Sequence, residues 1–127
     1  MEPAASTRAL GLRVEARVAE YLHERGLSIL ERNVERAGGE IDLIALDLRL
    51  DDPEYVFVEV RSRSRVDRGS PLETVGVAKQ RHVVRAATAW LVERDLWEAV
   101  AVRFDVVGVT ISPHRLRVRW IRDAYEA

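Results

Sequence analysis

"YVFVEVRSR" (55–63) reads as a buried strand that has been interrupted. Val56, Phe57, Val58 and Val60 suit a sheet interior, yet Glu59 stands among them and Arg61 follows two residues later. Side chains at i and i+2 of a strand share a face, about 7 Å apart. Phe57, Glu59 and Arg61 are therefore predicted on one face, and Val56, Val58 and Val60 on the other. The preceding "EIDLIAL" (40–46) reads as a second strand, with Glu40, Asp42 and Ile44 on one face and Ile41, Leu43 and Ala45 on the other. A hairpin between the two strands brings Asp42 near Glu59. Two carboxylates and a guanidinium then converge between apolar surfaces.

Burying an unpaired carboxylate costs several kcal/mol, so something must neutralise the pair. Arg61 can do so as part of a structural ion cluster. Alternatively, a divalent cation sits between the acids. Oxygen ligands on adjacent strands, without Cys or clustered His, suit Mg²⁺ or Mn²⁺ rather than zinc. Spacing alone leaves both readings open.

Outward from this hairpin the chain reads as helix, three strands, helix, two strands. Apolar residues at Leu10, Val14, Val18, Tyr21 and Leu22 recur at helical spacing from about Ser6 to Arg25, and Gly26 ends that helix. Residues 1–5 are expected to be a short mobile terminus. "LSILERNVE" (27–35) is a first strand and "AGG" (37–39) a turn signal. "SPLE" (70–73) is a capping box opening a helix that breaks near Gly76. The helix resumes through 78–94 with Val83, Val84, Ala87, Trp90 and Leu91 on one stripe. Strands at 99–109 and 115–121 follow, the last alternating as an edge strand does. The prediction is an α/β domain with a central five-stranded mixed sheet flanked by helices.

The 127 residues fit one domain large enough to bury a core without staples. With 47% apolar and 32% charged residues, the chain has the balance of a globular protein rather than a disordered one. The absence of cysteine excludes disulfides, thiol nucleophiles and Cys-ligated zinc, and fits a reducing cytoplasm. "MEPAASTRAL" (1–10) shows no export signal, and no stretch is long and apolar enough for a membrane span, so a cytoplasmic location is expected. Twenty basic and 21 acidic residues give a net charge of −1, so a nucleic-acid partner must be met by a local basic patch.

Such a patch follows the acidic pair. Arg61, Arg63, Arg65 and Arg68 are offset only by Asp67, and "AKQRHVVR" (78–85) adds Lys79, Arg81 and Arg85 at the start of a helix. Most arginines merely face solvent; adjacency to the carboxylates favours binding here. Glu15 has Gly11, Val18, Ala19 and Leu22 at helical neighbour spacing. On pattern alone it is a solvated residue at the margin of an apolar stripe. His23, His82 and His114 lack ligand spacing and read as surface residues, while Trp90, Trp97 and Trp120 read as packing.

The segments "ILERNVERAGGEIDLIALD", "YVFVEVRSRS", "SPLETV", "RFDVVGV" and "WIRDAY" resemble the YraN family of bacterial proteins over nearly the whole chain. "GGEIDLI" followed by "VFVEVR" is the most specific part. That family is similar to Holliday-junction resolvases and to the wider restriction-endonuclease-like superfamily with its PD-(D/E)xK active site. The resemblance implies a restriction-endonuclease-like α/β/α core. Within it Asp42 is the first acid, Glu59 the second, and Arg61 stands in the lysine position. It makes Glu15 a further catalytic and metal-site candidate, and lets Gln80, beside Lys79, position phosphate or water. No proline precedes Asp42, which removes no ligand. The change from lysine to arginine matters more, because arginine stays charged and cannot be a general base. Activation of water is then left to the metal, with Arg61 stabilising charge on the phosphate.

The implied function is a Mg²⁺- or Mn²⁺-dependent endonuclease acting on DNA, branched or structured DNA included. A homodimer is implied by the way resolvase-like enzymes meet symmetric junctions. A catalytically inactive nucleic-acid-binding module and a protein-interaction module are the alternatives. Fold alone does not choose among them.

Overall fold

A computed structural model describes residues 3–64 and 76–126. Arg65, Arg68 and the capping box at 70–73 lie outside the described residues. The elements in chain order are α1 (Pro3–Glu24), β1 (Leu27–Arg36), β2 (Gly39–Asp47), β3 (Glu54–Ser64), α2 (Val77–Glu93), β4 (Ala101–Ser112) and β5 (Arg115–Tyr125). The strands form one sheet in the order β1-β2-β3-β4-β5. Only β3 and β4 are parallel, joined by the crossover that carries α2; the other neighbours are antiparallel. The fold is the expected α/β class with a five-stranded mixed sheet.

Each helix covers one face. Val14, Val18, Ala19 and Leu22 of α1 pack with Leu43, Ala45, Val56, Val58, Val107 and Val109. Val83, Ala86, Ala87, Trp90 and Leu91 of α2 pack with Val34, Ile41, Ile44, Phe57 and Phe104 on the other face. The stripes expected on both helices face the core, with Tyr21 and Val84 partly buried at their margins and Leu10 exposed. α1 begins at Pro3, nearer the N-terminus than the periodicity predicts, and proline's missing N–H is no loss at a helix's first position. Trp97 departs from expectation in being 47% exposed. The three histidines lie on the surface as predicted.

The turn between β1 and β2 holds Ala37 at φ 52° and Gly38 at φ 76°, the two-residue geometry whose twist matches the flanking strands. Gly39, next along, touches α2 so closely that a Cβ there would lie 2.1 Å from the His82 carbonyl oxygen. The hairpin and the start of α2 are thereby held in backbone contact.

Two irregularities shape the β1–β2 part of the sheet. β1 carries a bulge between Ile29 and Glu31. It turns Glu31 to the α2 face, where it accepts a hydrogen bond from Trp90 Nε1 at 2.9 Å. Further on, the β1–β2 pairing skips Asn33 and Asp42, and Asn33 takes a left-handed φ of 53°. Ile41 consequently joins Ile44 on the α2 side, not Leu43 and Ala45 as strict alternation predicted. Asparagine enters this backbone region more readily than other non-glycine residues, which makes the local reversal affordable at this position.

Candidate active site

The β2–β3 ladder runs from Asp47↔Glu54 to Leu43↔Val58 and goes no further. Past that point Asp42 is not paired by its backbone. Its carboxylate instead accepts the Val60 N–H at 2.7 Å, bridging the gap between the parting strands. Glu59 is 6% exposed and on the α2 face, and it shares a hydrogen bond with Asp42. The sequence-predicted meeting of Asp42 and Glu59 is therefore seen, reached by divergence of the strands rather than by a continuous ladder.

Burial first, and then the charge of Asp42, pushes the Glu59 carboxyl up to about 7. Asp42 is also raised, chiefly by burial, while the Val60 N–H and the Lys79 charge act in the opposite direction. The shared proton resides on Glu59, because Asp42 has the backbone donor to stabilise its charge. Lys79 Nζ reaches to 3.6 Å from Glu59 Oε2. This ammonium comes from the first turn of α2, held there by the Gly39 contact. Arg61 contributes a weaker favourable charge to Glu59. Gln80 is half-buried next to Lys79, and Arg63 half-buried two residues beyond Arg61.

Glu15 comes from α1, whose core lies on the opposite face. It is half-buried, hydrogen-bonded to the Asn33 side chain, and raised by burial and then by the Asp42 charge. It is electrostatically part of the site. Among the described residues, however, no three His, Cys, Asp or Glu side chains converge as a ready metal cage.

Asn33, bonded to Glu15, and Tyr125, which feels the charge of Glu59, are candidate-site residues that sequence reasoning missed. Tyr125 stacks on Phe104 at 5.3 Å, at the end of an aromatic series running from Trp90 through Phe57. Its hydroxyl is raised by burial and next by the charge of Glu59. The only signals were asparagine's tolerance of left-handed backbone and the closing tyrosine of "WIRDAY". Among the described residues, three buried side-chain polar atoms lack a hydrogen-bond partner: Glu15 Oε1, Glu59 Oε2 and Tyr125 Oη. All three feel the charge of Asp42 or Glu59.

A second ionic cluster was not anticipated at all. Arg103 of β4 donates to Asp47 at 2.7 Å, to Glu54 at 3.3 Å and to Asp105 at 3.0 Å. Asp105 also accepts Trp120 Nε1 and the Asp123 N–H, each at 2.9 Å. Arg49 bonds Asp47 through its backbone N–H and its side chain. Hydrogen bonds from Arg49 hold the Asp47 carboxyl well below the usual carboxylate range.

A mixed five-stranded sheet between two helices is consistent with a restriction-endonuclease-like α/β/α core. The chain belongs to the family described as "Uncharacterised protein family UPF0102", whose profile matches residues 14–109. A UPF0102 protein of Chromohalobacter salexigens is 43% identical over 121 residues, covering 95% of this chain and 94% of the relative. One from Marinobacter nauticus is 40% identical over 122 residues, covering 95% of each. One from Anaeromyxobacter dehalogenans is 44% identical over 119 residues, covering 94% of this chain and 85% of the relative. The matched span contains Glu15, Asp42, Glu59, Arg61 and Lys79 but ends before β5. No helix among the described residues is long and apolar enough to cross a membrane.

Proposed function

We propose that the protein is a metal-dependent endonuclease hydrolysing phosphodiesters in DNA, branched or structured DNA included. The observation that carries this reading is the concentration of unmet polar groups at one place. Buried polar atoms are nearly always hydrogen-bonded, so orphans in a native fold call for a reason. Here Glu59 Oε2 is orphaned within the buried, hydrogen-bonded Asp42–Glu59 pair, and Glu15 Oε1 is orphaned within the field of Asp42. An oxygen-only donor set of this kind fits Mg²⁺ or Mn²⁺, and Mg²⁺ usually takes one or two protein carboxylates and fills its shell with water and phosphate. Asp42 and Glu59 would hold the ion, with Glu15 behind Asp42 adjusting the site's charge. The ion would supply Lewis-acid activation of the attacking water.

The remaining work falls to the chain's own groups. A bound cation would favour the ionised form of Glu59 over the protonated one. Arg61 and Lys79 offset charge on the scissile phosphate, and Gln80 helps orient it. Arg63, Arg65 and Arg68 hold the backbone leaving the site. Pairing of two protomers would let two such sites meet a symmetric junction.

One observation favours a catalytically inactive binding module instead. Lys79 and the shared proton already offset the acidic pair without an ion, at 3.6 Å from Glu59. Calorimetric titration of Mg²⁺ and Mn²⁺ into wild type and Asp42→Asn/Glu59→Gln separates the two. Binding lost in the double variant, together with cleavage of branched, flapped or linear DNA by wild type alone, is the expected result. No binding at millimolar metal, with DNA present to supply phosphate ligands, would sink the nuclease reading.

A further inference from the structure

Beyond Glu59 the α2 face of the sheet changes character. The register sets Arg61, Gly108 and Arg119 in one row across β3, β4 and β5, and Arg63, Thr110 and Arg117 in the next. Ser112 and Arg115 follow. Paired residues project to the same face of a sheet. The opposite face at this level is occupied by Val107, Val109, Val118 and Trp120, which pack toward α1. The arginines of β3 and β5 thus form two columns, with only small residues of β4 between them.

Two strand spacings, about 9.6 Å, separate the columns, and rows recur about every 6.7 Å. Arg115, Arg117 and Arg119 are exposed, and no ion pair among the described residues involves them. A cavity of about 580 Å³ opens against Thr110, Ser112, Arg115 and Arg117. Charged side chains on an edge strand also deter unwanted strand pairing. That role asks for charge on β5 alone. It does not ask for a matching column on β3, for glycine, threonine and serine between the two, or for alignment with an acidic pair. The three exposed β5 guanidiniums take part in no ion pair among the described residues, so a chain of net charge −1 presents on this edge a positive surface that an external polyanion can meet.

We infer that this face is a track for the phosphodiester backbone of a nucleic-acid strand lying along β4, with its phosphates between the arginine columns and its course leading to Asp42 and Glu59. The inference rests on the nuclease reading for what happens at the end of the track, while the track's own chemistry is anion recognition. An unpaired strand and one strand of a duplex offer the same backbone, and salt dependence tells them apart.

The test is Arg115→Gln/Arg117→Gln/Arg119→Gln in the full chain, titrated against fluorescein-labelled DNA, single-stranded and duplex, over a range of salt. Three lost phosphate contacts lower the slope of log affinity against log salt by about 2 for an unpaired strand and about 2.7 for a duplex. Affinity at low salt falls by about tenfold or more. The corresponding triple lysine variant keeps most of the slope. A glutamine variant with the wild-type slope overturns the track, as does wild type that binds neither probe. If the triple variant unfolds, Arg117→Gln alone should change the slope by about 0.7 to 0.9. Asp42→Asn/Glu59→Gln serves as the control for the other reading. Cleavage lost there with the slope retained supports both. A reduced slope in the glutamine variant of a protein that never cuts leaves the track standing without the nuclease, and cutting with an unchanged slope does the reverse.

Discussion

Two clusters of buried charge sit in the same sheet and have been settled in opposite ways. At the Asp47 end of β2, Arg103 bonds Asp47, Glu54 and Asp105, and Trp120, Arg49 and the Asp123 N–H complete the carboxylates' partners. At the Asp42 end of the same strand, two carboxyls share a proton, Lys79 stands off at 3.6 Å, and orphaned oxygens remain. One cluster lowers a carboxyl's pKa and the other raises it. A fully bonded network is a structural device, since any missing partner there leaves a bare buried charge. An under-bonded one stores unfavourable energy that a ligand can relieve. The difference sets a satisfied structural network apart from a candidate site without reference to any relative.

The largest effect that tests this contrast is removal of Arg103. Arg103→Met strands Asp47 and Asp105 without their main cation and should cost about 3–5 kcal/mol in urea unfolding. Asp42→Asn/Glu59→Gln at pH 8 should be neutral or stabilising, because it deletes charge that the fold does not fully satisfy. Equal destabilisation by the two changes would erase the distinction between the clusters.

Acidity offers the next test, because the two clusters slope oppositely. Glu59 has its pKa raised from 4.5 to about 7, so the folded state holds a proton that the unfolded state has released. Its contribution is fully present below pH 4.5 and is lost as pH rises through about 7, up to about 3 kcal/mol. Asp47, lowered from 3.8, contributes stability above that pH that disappears as acid protonates the folded carboxyl. Wild-type stability should therefore decline on both sides, and Glu59→Gln should flatten only the limb between pH 4.5 and 7. Millimolar Mg²⁺ should restore the wild type on the neutral side. A neutral limb that persists in Glu59→Gln would assign it to another group.

The acidic half of this picture was legible in the sequence because strand alternation is a short-range rule. Glu59 and Arg61 differ by two positions, and the pattern of Val56, Phe57, Val58 and Val60 fixes which way they face. The break in alternation at Asp42 was not legible. It depends on a left-handed Asn33 in the neighbouring strand, which no periodicity in β2 reveals. The Arg103 network escaped for a similar reason. Its partners come from β2, β3, β4 and β5, so their meeting is set by register over 56 positions of sequence, and "RFD" within a hydrophobic run gives no hint of it. Lys79 was visible as a basic residue near a helix start, but its approach to Glu59 requires the Gly39 contact that seats α2.

That contact can be broken directly. A Cβ at Gly39 would collide with the His82 carbonyl, a backbone atom that cannot swing aside. Gly39→Ala should cost about 1–3 kcal/mol, as overpacking does. It should also displace Lys79 from Glu59, so that the neutral-pH loss of stability grows steeper than in wild type. Gly38→Ala, in open space at φ 76°, should lower stability through backbone strain without changing the pH profile. If both glycine variants leave the profile alike, α2 is not what positions the lysine.

The smallest effect belongs to Tyr125, and it bears most closely on which cluster that residue serves. Phe104 and the aromatic series behind it fix the ring, so Tyr125→Phe keeps the packing and removes only a buried hydroxyl that has no partner. In a purely structural setting, deleting an unsatisfied polar group of unchanged shape is neutral or stabilising, here by up to about 1 kcal/mol. On the proposed function, the hydroxyl donates to a group that arrives, such as a phosphate oxygen beside Glu59. The expected result is therefore a split: an unfolding midpoint equal to or above wild type, with weaker DNA binding when Asp42 and Glu59 are intact. A fall in stability instead would mean the phenol has a partner in the folded protein and belongs with the satisfied network around Asp105, whose charge also reaches it.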